Sequence, residues 1–164
     1  MKDELMKKME ALLAAHKGKQ APPRPQQQEE TKMLDARRQF RKLCHDVLLP
    51  ALEDMADMLR KHGHDCEVEA QKATETATGE ELTLNVRLRI FPAGYSRALF
   101  RDAEPPYVCV MHDEAQRNAR VVAGTSLPDK PRKPTANEYP MDQLTREMIE
   151  TEVLNILQTI LSEG

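Results

Sequence analysis

The side chains with the most chemical potential in this sequence are its histidines and cysteines, most of which fall in two short patterns. His62, His64 and Cys66 alternate along the chain, and Cys109 is followed three positions later by His112. Imidazole nitrogen and thiolate sulfur are ligands that zinc prefers. The spacing opposes a shared site, because Cys109 and His112 would point to opposite faces of a strand. We therefore predict no metal, and we interpret these residues as buried thiols and surface histidines.

Nucleophilic catalysis needs a serine or cysteine beside a base. Residues 94–98 (GYSRA) resemble the G-x-S-x-G turn that presents a catalytic serine, here Ser96, but lack its last glycine. Pro105 and Pro106 leave little room for the helix that follows such a turn, so an ordinary glycine turn is the simpler interpretation.

Two other patterns contain acid–base residues. Cys44 and His45 are adjacent in a predicted helix, where they would lie about 100° apart and could not act on one face. Residues 112–114 (HDE) follow a predicted strand, a position that is also typical of a polar turn. No glycine-rich phosphate loop is present in the sequence. We therefore predict a protein without a catalytic site and without a cofactor.

Basic side chains are concentrated in one part of the chain, although the whole protein has a formal net charge of -3. Nine lysines and arginines but only five carboxylates lie between residues 82 and 133. Such a region could bind a phosphate, a nucleic-acid backbone or an acidic peptide. The loop residues that would form this site are Arg97, Arg101, Lys130, Arg132 and Lys133.

Salt bridging is the simpler interpretation of the remaining arginines in this region. Arg87 and Arg89 lie on a predicted strand, where a hairpin partner would supply Glu67 and Asp65. The pI of 6.0 and the aromatic share of 4% are also atypical of nucleic-acid-binding proteins. Binding of anions or nucleic-acid backbones through the basic loops is therefore kept as the alternative function.

The first element that could position a binding surface is a short amphipathic helix over residues 3–16. Leu5, Met9 and Leu12 recur at three- and four-residue steps and would lie on one side of it. Gly18 predicts where this helix ends. A helix of this length is marginally stable alone in water, so its apolar side needs a surface to bind. That surface is either a groove on another protein, a second copy of the chain, or the sheet or helix pair of its own domain.

A spacer follows this helix. Residues 18–30 contain Pro22, Pro23 and Pro25 together with several glutamines, a composition that favours a semi-extended polyproline conformation. The predicted organisation is therefore an N-terminal helix over 1–17, a linker over 18–30 and a single domain over 31–164.

The domain begins with a long helical pattern over residues 31–62. Apolar residues such as Phe40 and Leu52 recur at helical spacing, and Gly63 predicts the end of the helix. Pro50 interrupts the pattern. An interior proline costs a helix about 3 kcal/mol, so we expect a kink or a fresh start there.

The pattern then changes to alternation, which is typical of strands. Four strands are predicted over residues 64–70, 82–90, 107–112 and 119–124. Because apolar residues must face apolar residues, the first hairpin should place Val68 opposite Val86. The same register places Cys66 opposite Leu88, Glu67 opposite Arg87 and Asp65 opposite Arg89.

The last part of the domain is a proline-rich loop and an amphipathic helix. Four prolines between residues 128 and 140 predict no helix or central strand there. The helix is expected over residues 142–162, with an apolar face that includes Ile149, Val153 and Ile156.

Strands grouped between helices predict an α+β fold. The expected architecture is a four-stranded antiparallel sheet with a long kinked helix and a C-terminal helix packed on one face, plus a tethered N-terminal helix. The other face of the sheet is expected to be exposed to water.

Location and function follow from the same composition. Three cysteines without framework spacing predict a reducing cytoplasm, and no segment approaches the roughly 18 apolar residues of a membrane span. We predict a cytoplasmic, bacterial-type module that is not an enzyme. It is expected to bind a protein partner or to form an oligomer with itself, with the first and last helices as the contacts.

Overall fold

The computed structural model describes residues 2–19 and 25–162 of the 164-residue chain. Within these residues the backbone forms three helices, five consecutive strands and a fourth helix. The chain divides into two compact units, Met1–Asp35 and Ala36–Gly164. The fold is α+β, as the sequence predicts.

The N-terminal helix α1 spans Lys2–Lys19. Two acidic residues lie in its first turn, where they interact favourably with the positive end of the helix dipole. The helix continues through Gly18, so the predicted end there is wrong. A glycine inside a helix costs only about 1 kcal/mol relative to alanine, which the neighbouring turns can offset.

The predicted linker over 18–30 is also wrong at both of its ends. Residues 18 and 19 belong to α1, and the next helix, α2, already begins at Pro25 and spans Pro25–Leu43. Proline is tolerated at the first helical position because the N–H that it lacks has no partner there. The glutamines and glutamates that follow are good helix formers. Residues 20–24 lie outside the described residues.

The long helical region of the second unit is continuous past Pro50. A π-helical turn, Cys44–Leu48, joins α2 to α3, which spans Leu49–Lys61. The predicted break at Pro50 is therefore replaced by a π turn immediately before it. Proline cannot donate to the carbonyl four residues earlier, and a π turn rearranges the backbone bonds at that point. Gly63, at a φ of 86°, follows the end of α3, as predicted.

The five strands form one antiparallel sheet in the order β1 to β5. They are β1 (Asp65–Thr74), β2 (Glu81–Phe91), β3 (Tyr107–Asp113), β4 (Asn118–Gly124) and β5 (Thr135–Tyr139).

The prediction of four strands misses β5. This strand lies between Pro134 and Pro140 and pairs only with β4, at the edge of the sheet. An edge position tolerates flanking prolines, because the backbone donor that proline lacks is not needed by a second neighbour.

The predicted register of the first hairpin places the side chains on the correct faces of the sheet, but the pairing of β1 with β2 is shifted by two residues. Val68 lies opposite Leu88 instead of Val86. Cys66 lies opposite Ile90 instead of Leu88. A displacement by two positions keeps every side chain on its predicted face, so the alternation of apolar residues cannot detect it. A bulge in the hairpin, close to its loop, adds a further shift.

This displacement changes the predicted salt bridges on the outer face of the sheet. Glu67 lies opposite Arg89 rather than Arg87. Arg89 Nη1 lies 3.9 Å from Glu67 Oε2, and Arg89 Nε lies 3.5 Å from Glu104 Oε1. Arg87 Nη1 lies 3.4 Å from the same Glu104 oxygen, which replaces the predicted partner.

The C-terminal helix α4 spans Arg146–Leu161 and begins later than the predicted start at Asp142. Thr145 is its N-cap, and the Thr145 hydroxyl accepts a hydrogen bond of 3.3 Å from the backbone N–H of Met148. This bond satisfies one of the donors that a helix start leaves unpaired.

The core lies between the helices and the inner face of the sheet. It contains apolar side chains from α2, the π turn, α3, α4 and the inner positions of β2 to β4. Among the largest fully buried residues are Phe40, Leu48, Leu52, Val86, Leu88, Ile90, Val108, Val110, Val121, Ile149 and Ile156. Burial of each such side chain contributes about 1.5–3 kcal/mol, so this layer fixes the arrangement of α3, α4 and the sheet.

Candidate functional site

The most exposed apolar surface among the described residues lies on α1. Five large side chains lie on one side of this helix and are all exposed: Leu5 56%, Met6 61%, Met9 55%, Leu12 71% and Leu13 67%. We refer to these five residues as the α1 stripe. Three of them are the residues that the sequence predicts as partner-binding. Exposure of a continuous apolar stripe is typical of an interaction surface.

A second apolar surface lies between α3 and α4, and we refer to it as the α3–α4 groove. Its volume is about 340 Å³. The apolar side chains that line it are Met55, Met58, Leu59, Val153, Leu154 and Leu157, and Glu147, Glu150 and Thr151 complete the lining. Grooves of this composition, between two helices, accept apolar helices or small ligands.

Two residues of this groove escaped the sequence interpretation. Met58 is 61% exposed and Leu154 is 53% exposed, so neither belongs to the core. They lie off the apolar stripes that predict the buried faces of α3 and α4. A large apolar residue out of phase with a helix's own stripe is the signal that could have identified them.

Arg97, the first residue of the predicted anion site, is held by carboxylates. It begins a short 3-10 helix over Arg97–Phe100. Its Nη1 donates to Glu67 Oε1 at 2.8 Å, and its Nη2 donates to Asp65 Oδ1 at 3.0 Å. Asp65 was predicted to pair with Arg89. The hydrogen bond from Arg97 lowers the pKa of Asp65. Arg97 therefore has little capacity left for an external anion.

Arg101 lies with Arg97 at a polar cleft of about 480 Å³. Arg89 lines the same cleft, but so do Asp102 and Glu104. The carboxylates beside these arginines offset most of their charge, so the cleft does not present a strong positive potential.

The other three predicted anion-binding residues lie in the loop between β4 and β5. Lys130 and Leu127 exchange two backbone hydrogen bonds of 3.0 Å. Arg132 Nη1 donates to the Thr125 carbonyl at 3.2 Å, so this side chain orders the loop. Lys133 is exposed.

One contact links this loop to the segment before Arg97. The Tyr95 hydroxyl donates to Asp129 Oδ1 at 3.1 Å. The two basic segments are therefore neighbours in the fold, but the linking contact places a further carboxylate between their basic side chains.

A cleft of about 640 Å³ in the second unit lies where β3 ends. His112 faces it and stacks on Phe40 with a centroid distance of 5.4 Å. Burial lowers the pKa of His112, and its Nε2 is buried without a hydrogen-bond partner among the described residues. Arg37 donates to Glu114 at 2.7 Å and to Glu75 at 2.8 Å across the cleft.

The hydroxyl groups that line this cleft belong to Thr74 and Thr83, and no serine, cysteine or lysine is present among the described residues of the lining. The hydrogen bond from Arg37 lowers the pKa of Glu114 and keeps this carboxylate ionised, so it is unsuited to act as an acid. The geometry supports a structural role for His112, which anchors α2 to the sheet.

The other residues whose types could do chemistry do not line this cleft. Ser96 is the residue that precedes the 3-10 helix, and no side-chain cap bond is formed there. His64 Nδ1 accepts a hydrogen bond of 2.9 Å from the Ala93 backbone N–H. The Cys66 thiol donates to the Ala56 carbonyl at 3.3 Å. Burial raises the pKa of Cys44 to about 12, so its thiolate does not form at neutral pH.

Residues 2–19 and 25–162 contain neither a metal-binding cluster nor a helix suited to span a bilayer. No group of three or more histidine, cysteine, aspartate or glutamate side chains in this part of the chain is arranged to hold a metal ion. None of the helices described there has the length and apolar character that crossing a bilayer requires.

Comparison with known proteins found no match, so the inference of function rests on the geometry of the chain. No protein-family model, no curated protein and no solved structure matches this chain.

Proposed function

We propose that this chain is a non-catalytic protein-interaction module and that the α1 stripe is its contact surface. The observation that carries the proposal is the exposure of all five large apolar side chains of one helix, between 55% and 71%. In the second unit, by contrast, the helices bury their main apolar stripes in the core.

The energetics of a short helix support this proposal. A solitary helix of this length is marginal in water, and each large apolar side chain left exposed forgoes about 1.5–3 kcal/mol of burial. Docking of the stripe on another protein would stabilise both the helix and the complex. The three unpaired cysteines, all buried, support the further proposal of a reducing compartment such as the cytoplasm.

The test compares full-length variants that differ in which side of α1 is changed. Leu5→Lys and Leu12→Lys place charges on the stripe, whereas Ala11→Lys places the same charge on the opposite side of the helix. We expect the two stripe variants to lose association, measured by light scattering and by capture of bound protein on the immobilised chain. Ala11→Lys should behave like the unaltered protein.

Failure of the proposal has a clear signature. If the unaltered chain scatters as a monomer, and if Leu12→Lys captures the same proteins as the unaltered chain, the α1 stripe is not a contact surface.

The alternative function, anion or nucleic-acid-backbone binding through the basic loops, has weaker support. Of its five residues, Arg97 is held by two carboxylates, while Arg101 and Lys133 are exposed. Binding of polyphosphate that falls steeply with salt and is lost in the double variant Arg101→Gln, Lys133→Gln would favour it. Absence of salt-sensitive binding excludes it.

A further inference from the structure

We propose that the α3–α4 groove of one copy of this chain binds the α1 stripe of a second copy. This inference rests on the proposed function, because it names the partner that the α1 stripe contacts. Each copy then supplies one donor helix and one acceptor groove. A dimer with two-fold symmetry uses both of these surfaces twice and leaves none exposed.

The groove has the composition of a helix-binding surface. Six apolar side chains line it, and two of them, Met58 and Leu154, are 61% and 53% exposed. Methionine is flexible and polarisable, so Met55 and Met58 can adjust to a docked side chain. Recognition of one amphipathic helix by such a groove relies on residues spaced three and four positions apart. Leu5, Met9 and Leu12 have this spacing.

The dimensions of the two surfaces agree. The α1 stripe extends from Leu5 to Leu13, which is about 12 Å at the rise of an α-helix. The part of α4 that lines the groove extends from Glu147 to Leu157, which is about 15 Å by the same rise. The groove is therefore long enough to cover the whole stripe.

The edges of the two surfaces carry opposite charges at one place. Glu147 and Glu150 line the groove, and Lys8 borders the α1 stripe. Opposite charges at a contact steer two surfaces together and fix their orientation.

A specific contact follows from this arrangement. Lys8 lies one helical turn from both Leu5 and Leu12, so it borders the stripe. Glu147 and Glu150 line the groove, and Glu150 already accepts a hydrogen bond of 2.7 Å from Arg146. We therefore expect Lys8 of one copy to approach Glu147 of the other.

The outer face of the sheet is a poorer acceptor for α1. Its arginines lie beside carboxylates of the same face, as in the approach of Arg89 to Glu67 and Glu104. An apolar helix docked there would remove these charges from water without new partners, which is costly.

The first experiment measures the molar mass of the full chain by light scattering between about 1 and 100 µM, the range in which micromolar association is visible. The unaltered chain should rise from 18.7 kDa towards twice that mass. Leu154→Lys should remain at the monomer mass, as should Leu12→Lys. The matched control is Asn155→Lys, which adds the same charge to α4 away from the groove and should dimerise normally.

The outcomes separate this inference from the proposed function. Loss of dimer in Leu12→Lys with normal dimers in Leu154→Lys overturns the groove as acceptor and leaves the α1 stripe as the contact. A full chain that stays monomeric at every concentration but captures another protein through the stripe also overturns the second copy as partner. Loss of dimer in both variants, with a normal Asn155→Lys control, supports the inference.

The second experiment tests contact directly by cross-linking. Isotope-labelled Leu12→Cys protein is mixed with unlabelled Leu154→Cys protein and oxidised mildly, and the products are weighed by mass spectrometry. The three native cysteines are buried, so they compete poorly for oxidation.

The cross-link is expected between unlike copies. A mixed disulfide above its statistical share supports the proposal, provided that Asn155→Cys in place of Leu154→Cys does not give it. A statistical mixture of labelled and unlabelled dimers overturns it.

Discussion

The first and last helices of this chain look alike in sequence but differ in what their apolar residues do. α1 has 18 residues and α4 has 16. The buried apolar residues of α4, among them Ile149 and Ile156, are at most 4% exposed. The large apolar residues of α1 are at least 55% exposed. The same spacing of apolar residues therefore has two outcomes: α4 completes the core of its own unit, whereas the α1 stripe stays exposed.

α4 differs from a simple core helix in one respect, because it also carries an exposed apolar residue at the groove. Leu154 is 53% exposed and lies next to Met58 of α3 in the lining of the groove. α4 thus combines the role of a core helix with that of an acceptor surface. A single amphipathic stripe explains the first role but not the second.

The largest expected effect concerns the stability of the two helices. Ile149→Ala removes a fully buried side chain from α4 and should lower the free energy of unfolding by about 2–5 kcal/mol. Leu12→Ala removes an exposed side chain from α1 and should change it by less than about 0.5 kcal/mol in dilute solution. Urea denaturation followed by circular dichroism measures both variants.

Equal losses for the two variants would contradict the comparison. A large loss for Leu12→Ala in a dilute monomer would mean that α1 belongs to a packed core.

The next effect concerns the start of α4. Thr145→Ala removes the hydroxyl that caps the helix and should destabilise the domain by about 1 kcal/mol. Thr145→Ser keeps an oxygen at the same position and is the matched control. If the two variants unfold at the same urea concentration, the Thr145 hydroxyl contributes nothing to the free energy of unfolding, and burial of its apolar residues alone holds α4 in place.

A pH effect is expected from His112. Its pKa is lowered by burial, so the unfolded chain takes up a proton on this residue at a higher pH than the folded chain does. The stabilising effect of neutral His112 is therefore complete above about pH 6.5 and is lost as the pH falls below that value. His112→Phe retains a ring against Phe40 and cannot titrate.

This prediction is measured by urea denaturation at about pH 7.5 and about pH 5, on either side of the histidine range. The unaltered chain should lose more stability between the two values than His112→Phe. An identical pH dependence of the two proteins would mean that folding does not lower the pKa of His112.

The smallest effect concerns Arg97. Its salt bridges with Asp65 and Glu67 are exposed, so Arg97→Gln should lower stability only slightly, and less still at high salt. Arg101→Gln is the control and should cost less than Arg97→Gln, which the midpoints of thermal unfolding compare. If Arg97→Gln instead abolished polyanion binding and left stability unchanged, Arg97 would be a ligand contact rather than a structural one.

Much of the fold could be predicted because its signals are local. The alternation around Val86 and Leu88 and the helical spacing around Ile149 predict elements that the structure contains. The register of the first hairpin could not be fixed, since Val68 opposite either Val86 or Leu88 satisfies the same alternation. β5 was missed because Pro134 and Pro140 dominate its local signal, whereas its pairing with β4 depends on residues far away in sequence.

The candidate surfaces also differ in whether they could be predicted from the sequence. Leu5, Met9 and Leu12 could be singled out from their spacing alone. The groove could not be anticipated, because Met58 and Leu154 come together only when α3 and α4 pack. The surroundings of the predicted anion site could not be anticipated either, because nothing near Arg97 in sequence indicates that Asp65 and Glu67 fold against it.

Hydrogen–deuterium exchange of α1 in the full chain tests the central claim most directly. If the α1 stripe is covered by another copy, exchange of the α1 amides slows as the protein concentration rises from about 1 to 100 µM. The same slowing should occur in Ala11→Lys and be absent from Leu12→Lys. Exchange of α1 that is independent of concentration in the unaltered chain would contradict the account.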